Sequence, residues 1–142
     1  MTRYFENEDE IISLVHAFEA CTISPTDFKH YQHLAIALSY VSNFSYDEAT
    51  VRVRTGIQKL AAAYGKTGYH ETITLFWLAI VREFFARSRS HSIAEMANKL
   101  AAECADKNLI RDYYSEELLT SDYAKNGWVA PDLKPLAAFA EV

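Results

Sequence analysis

The chain is poor in the residues that break or cross-link structure. Its 142 residues include four glycines, three prolines and two cysteines. That scarcity, in a chain that is 50% apolar, excludes a collagen-like protein, a disordered tail and a loop-rich disulfide scaffold. Cys21 and Cys104 lie far apart with no C-x-x-C spacing, which fits two reduced thiols. Basic residues are also few: 14 Lys and Arg against 19 Asp and Glu leave a net charge of −5. Binding phosphate backbones needs a basic face, so nucleic acid is not an expected partner. The longest apolar run, Ile73 to Val81 with Thr74 inside it, is about half the roughly 20 residues a bilayer span requires. The opening residues, Met1 to Glu10, are too acidic and polar for a signal or transit peptide. The expectation is a soluble, cytoplasmic, single helical domain over 1–142 with no membrane partner.

Helical periodicity is what the sequence has in place of these features. A first helix over about 8–20 repeats Ile11, Val15 and Phe18 at helical spacing, and Glu8, Asp9 and Glu10 favour the positive end of its dipole. A second, over about 26–44 with Thr26 as N-cap, carries His30, His33, Leu34, Ala37, Tyr40, Val41 and Phe44 on one face. Ser45 caps a third helix, with Glu48 as capping-box partner. Gly56 within it costs about 1 kcal/mol against alanine and marks a close helix–helix approach. The fourth helix, about 69–87, lines up His70, Ile73, Trp77, Ile80 and Phe84 beside a second apolar line, which predicts a central position. A fifth covers about 93–105. Short helices follow over 109–119, then a proline-stiffened tail from Trp128 to Leu136. The predicted fold is all-α: an up-and-down bundle of four to five helices over about 1–105, with a wrapping segment over 106–142.

Three of the five histidines fall on inward stripes. Short connections make the helices alternate, so the second and fourth run parallel and His30, His33 and His70 converge at one end of the bundle. Residues three apart on a helix have Cβ atoms roughly 5–6 Å apart, a span two imidazoles can close on one ion. The expected site is therefore a three-histidine metal centre holding one divalent transition metal: zinc, nickel, iron, manganese or copper. The positive helix ends call for a nearby carboxylate. Glu71 is the first candidate, as ligand, general base or helix N-terminal charge, and Glu19 the second. Tyr69 and Thr74 can offer hydroxyls to the same pocket, and Cys21 falls at the same end as an inert thiol. His16 reads as a flanking structural histidine and His91 as a solvated loop residue.

Other chemistries have no motif. There is no G-x-x-x-x-G-K-[ST], G-x-G-x-x-G or G-x-S-x-G, and His70-Glu71 lacks the second histidine of H-E-x-x-H. Arg82, Arg87 and Arg89 read as a solvated face. Tyr113, Tyr114 and Trp128 read as tail anchors.

The segments Phe28-Lys29-His30-Tyr31-Gln32-His33-Leu34 and Tyr69-His70-Glu71-Thr72-Ile73-Thr74 resemble two stretches of a family of small, uncharacterised bacterial helical proteins. Tyr114 to Leu119 and Trp128 to Leu136 share the resemblance, which brings no activity with it. The chain is also similar in architecture to DinB-like bundles, which hold a metal by three histidines from different helices. There the paired histidines are four apart and late in the chain, so the likeness is one of architecture. The functional expectation is a small metal-dependent enzyme (a hydrolase, lyase or oxygenase) acting on a small molecule. The alternative is a non-catalytic ligand-binding, metal-binding or sensor module. The wide apolar coverage of the fourth helix also leaves a homodimer open.

Overall fold

The computed structural model describes residues 3–89 and 92–136, and all regular structure among them is helical. Five longer helices build the bundle: α1 Glu8–Glu19, α2 His30–Asn43, α3 Tyr46–Ala63, α4 Glu71–Arg87 and α5 Ile93–Glu103. A 3-10 turn at Lys107–Asp112 and the short helices α6 Glu116–Leu119 and α7 Asp122–Asn126 follow. His91 lies outside the described residues.

Side-chain caps set most of the starts. Asn7, Ser45 and Ser92 accept the backbone N–H groups of Glu10, Glu48 and Glu95, each satisfying a donor the helix leaves free. The expected capping box at Ser45 is half made, since the Glu48 carboxylate turns to Arg52 at 3.6 Å. Two starts differ from the periodicity. α2 begins at His30 and not near Thr26, because Ser24 to Asp27 form a hydrogen-bonded turn and Gln32 Oε1 accepts the Lys29 N–H at 2.8 Å. α4 begins at Glu71, and His70 is its N-cap in extended geometry. That displacement of His70 off the helical stripe governs the site below.

Two apolar clusters share α4. Leu78, Val81 and Phe84 face the main core with α1, α2, α3 and α5, while Phe76 and Ala79 face a second cluster with Ile110, Tyr114, Leu119 and Leu136. α4 is thus the partition between the bundle and the C-terminal segment. At the α1–α3 crossing a Cβ on Gly56 would lie 2.3 Å from Phe18 Cε2, so only glycine lets the fully buried Phe18 ring lie against α3.

Beside this apolar cluster, polar groups fasten the C-terminal segment. Thr72, fully buried on α4, donates its hydroxyl to the Gly127 carbonyl at 2.8 Å and accepts the Val129 N–H at 3.2 Å. Buried Tyr114 donates to the Val129 carbonyl at 2.6 Å, and Trp128 meets its ring edge-on. Asp132 accepts both the N–H and the hydroxyl of Ser115. All but the Ser115 hydroxyl bond satisfy backbone groups that no helix ladder serves. No helix of the described residues is long and apolar enough to cross a membrane.

Candidate functional site

A cavity of about 510 Å³ opens where the N-terminal ends of α2 and α4 meet the 3-10 turn. Its wall is chiefly apolar and aromatic, with Phe28, Leu34, Ile57, Ile73, Trp77 and Leu78 contributing. The polar side chains on it are His30, His33, Tyr69, His70, Thr74, Lys107, Asn108 and Arg111. A mostly apolar concavity of this size with a few placed polar groups is the usual form of a small-molecule site.

The three expected histidines all reach this cavity, in three different states. His70 is fully engaged. Its Nδ1 accepts the Ile73 N–H at 3.1 Å, so Nε2 carries the proton and donates to the Leu119 carbonyl at 2.8 Å. The imidazole thus caps α4 and ties it to α6, leaving no nitrogen lone pair for an ion. His30 donates Nε2–H to the Cys104 carbonyl at 2.8 Å and meets Trp77 edge-on at 4.7 Å between ring centroids, so only Nδ1 is unbonded. Burial, opposed by that hydrogen bond, lowers its pKa below the ordinary value.

His33 is the open one. One face of its ring stacks on Phe28 with centroids 3.7 Å apart. Neither nitrogen has a hydrogen-bond partner among the described residues, and its surface is exposed while lining the cavity. Protein atoms crowd the ring, Phe28 foremost, while its surface stays accessible from the cavity. That desolvation, with the neighbouring His30 acting in the same direction, brings its pKa down to about 4, so the imidazole is neutral at pH 7.

The carboxylates do not join the histidines. Glu71 is held in a bidentate pair by Arg54, Nε to Oε1 at 3.0 Å and Nη2 to Oε2 at 2.6 Å, and its Oε1 also accepts the Tyr69 hydroxyl at 2.5 Å. Burial alone would raise its pKa, but the Arg54 and Tyr69 bonds and the Arg54 charge outweigh it and hold the carboxyl below its ordinary range. Such a carboxylate is a weak base, and it is not on the cavity wall. The Tyr69 phenol, buried and bonded to Glu71, is pushed up to about 12. Thr74 lines the cavity with its hydroxyl donated to the His70 carbonyl at 2.9 Å. Glu19 lies elsewhere, exposed and accepting the Tyr40 hydroxyl at 2.6 Å. His16 is exposed in the last turn of α1. Cys21 is half-buried, away from the cavity wall, at a positive φ of 59° that closes the α1 turn.

Among the described residues no group of three His, Cys, Asp or Glu is arranged to hold a metal ion. The cavity therefore brings together His30, His33, His70, Tyr69 and Thr74 but leaves out Glu71 and Glu19. The groups the sequence did not reveal are Phe28 and Trp77, which frame the imidazoles, and Lys107, Asn108 and Arg111, which the 3-10 turn adds from far along the chain. Trp77 could have been found from the stripe that carries His70, whereas Phe28 precedes α2 and lies on neither stripe. The 3-10 contribution has no local signal.

Comparisons with models of known families, with characterised proteins and with solved structures find no match to this chain.

Proposed function

We propose that the protein is a small-molecule-binding module whose cavity orients one ligand through the His33 imidazole. The observation that carries this reading is the state of His33: neutral, fixed in plane by Phe28, unbonded at both nitrogens and facing a largely apolar void. A neutral imidazole offers one donor and one acceptor, enough to fix a ligand's orientation while the apolar wall supplies affinity. The three-histidine metal enzyme is the weaker reading, because it requires His70 to give up the Ile73 N–H or the Leu119 carbonyl. It also requires a carboxylate, and Glu71 is already committed to Arg54.

The test is calorimetric titration with three flat bicyclic probes, 2-naphthol, 2-naphthamide and 2-naphthoate. At least one is expected to bind saturably near one equivalent and to weaken about fivefold to tenfold in His33→Leu, the scale of one hydrogen bond or one ring stack. Absence of saturable binding by all three, or equal affinity in wild type and His33→Leu, overturns the reading.

A further inference from the structure

The charged residues on the cavity wall are of one sign. Lys107 and Arg111 line it from the 3-10 turn, and among the described residues no Asp or Glu does, although acidic residues outnumber basic ones in the chain. None of Asp106, Asp112 and Glu116, the carboxylates nearest to these cations in sequence, lies on the wall, and Asp112 is exposed. Asp106 accepts the Asn108 N–H at 2.9 Å as cap of the 3-10 turn. Glu116 is committed to Arg111 itself in an exposed contact, the kind that contributes little and exchanges readily. Lys107 makes no side-chain hydrogen bond or salt bridge among the described residues; its charge disfavours protonation of His30, while the Asp106 charge acts there in the opposite direction. α2 and α4 both begin at this cavity, and the positive ends of their dipoles add to the same field.

The aromatic part of the wall favours a flat ring. Phe28 covers one face of His33, and the other carries no ring contact among the described residues. A planar ligand can extend that stack, with Trp77 and Ile73 as further apolar wall.

Resting on the small-molecule reading above, we propose that the ligand is a flat aromatic carboxylate, its ring beside His33 and Trp77 and its carboxylate at Lys107 and Arg111. An aromatic monoanion fits both the aromatic and the cationic residues of the cavity wall. A neutral ring leaves the cations unused, and a cation is repelled by them.

The same three probes separate this inference from the reading it rests on. In low salt, 2-naphthoate is expected to bind wild type at least about tenfold tighter than 2-naphthamide, the usual margin for a charge-assisted contact. The margin shrinks at 0.5 M sodium chloride, where the Debye length is only a few ångströms. Lys107→Gln, and more fully Lys107→Gln with Arg111→Gln, removes the margin while 2-naphthamide affinity stays constant. Lys107 has no structural bond to lose, so the single variant keeps the fold, as circular dichroism would check. Equal binding of the two probes, or a preference that survives both substitutions, overturns the inference and leaves the small-molecule reading standing. Binding by none of the three overturns both.

Discussion

The cavity has two unlike walls. On the α4 side the polar groups are already committed: His70 to Ile73 and Leu119, Thr74 to the His70 carbonyl, and Tyr69 to Glu71, which lies off the wall and is itself held by Arg54. On the α2 side His33 has no hydrogen-bond partner among the described residues and His30 keeps one nitrogen unbonded. Histidines of equal promise in the sequence have thus been put to opposite uses. A side chain with both nitrogens bonded holds the protein together, and one with both unbonded faces whatever enters. What separates the two is the backbone around each ring. His70 stands just before its helix, where free N–H groups need an acceptor, whereas His33 lies one turn inside α2, where the N–H groups are served by the helix ladder.

The sharpest way to break this comparison is to remove each imidazole in turn and measure urea unfolding at pH 7. His70→Ala is expected to cost about 2 kcal/mol: roughly 1 for the lost cap and roughly 1 for the stranded Leu119 carbonyl. His70→Asn should recover the cap share alone. A cost for His70→Ala no greater than that of His33→Leu would mean the walls are not different. The next effect is Glu71→Gln, which leaves the half-buried Arg54 without its charged partner. We expect about 1 kcal/mol of stability lost and probe affinity unchanged. Loss of probe binding in this variant would return Glu71 to the site.

Smaller still is the stability effect of His33→Leu, within about 0.5 kcal/mol, since the ring makes no hydrogen bond and leucine can pack on Phe28. Its signature is in the pH profile. His33 has a folded pKa of about 4 against an ordinary 6.5, so the unfolded chain binds its proton first as pH falls. His33's contribution to stability is therefore whole above 6.5 and is lost progressively toward 4. His33→Leu should remove that share of the acid sensitivity, leaving the share of His30, whose pKa is also lowered. Ring resonances of His33 followed by NMR should titrate near 4, and a midpoint near 6.5 would contradict the desolvated, neutral assignment. The smallest expected signal is metal: elemental analysis of protein purified without a histidine tag should find far less than one equivalent of any transition metal. A full equivalent that disappears in His33→Ala would show that the α4 wall can release His70 after all.

These contrasts also mark how far the sequence could be read. The helices of the bundle were legible because each buries a stripe at a 3.6-residue period, and the central place of α4 followed from its two apolar lines, which meet two different clusters. The approach at Gly56 was legible for a similar reason, since a glycine within a helix needs a neighbour to justify it. The role of His70 was not legible: a residue at N-cap and a residue in the first turn occupy the same place in a periodic pattern, and only the backbone angles distinguish them. Nor was the Arg54–Glu71 pair, which joins two helices across 17 positions with no local pattern. Lys107 and Arg111 reach the cavity because Thr72, Tyr114 and Asp132 fasten an irregular segment in place. Such docking by single hydrogen bonds leaves no periodicity. The tail-anchor reading of Tyr114 and Trp128 stands because large aromatics in an irregular segment need burial. Arg82 over the Tyr46 ring and Arg87 paired with exposed Glu103 are both surface residues, as the solvated-face reading of that run holds.

The contact between Gly56 and Phe18 has a consequence for how this sequence can drift. A ring that fills the place of a missing Cβ makes the two positions one unit of volume, although 38 positions separate them. In any related chain the pair should change together: alanine or serine at position 56 demands a smaller side chain at 18, and a phenylalanine at 18 demands glycine at 56. Neither substitution alone is neutral, so lineages would cross between the two states through a compensated intermediate. A search for relatives can use that reciprocal size rule as a filter where overall similarity has faded.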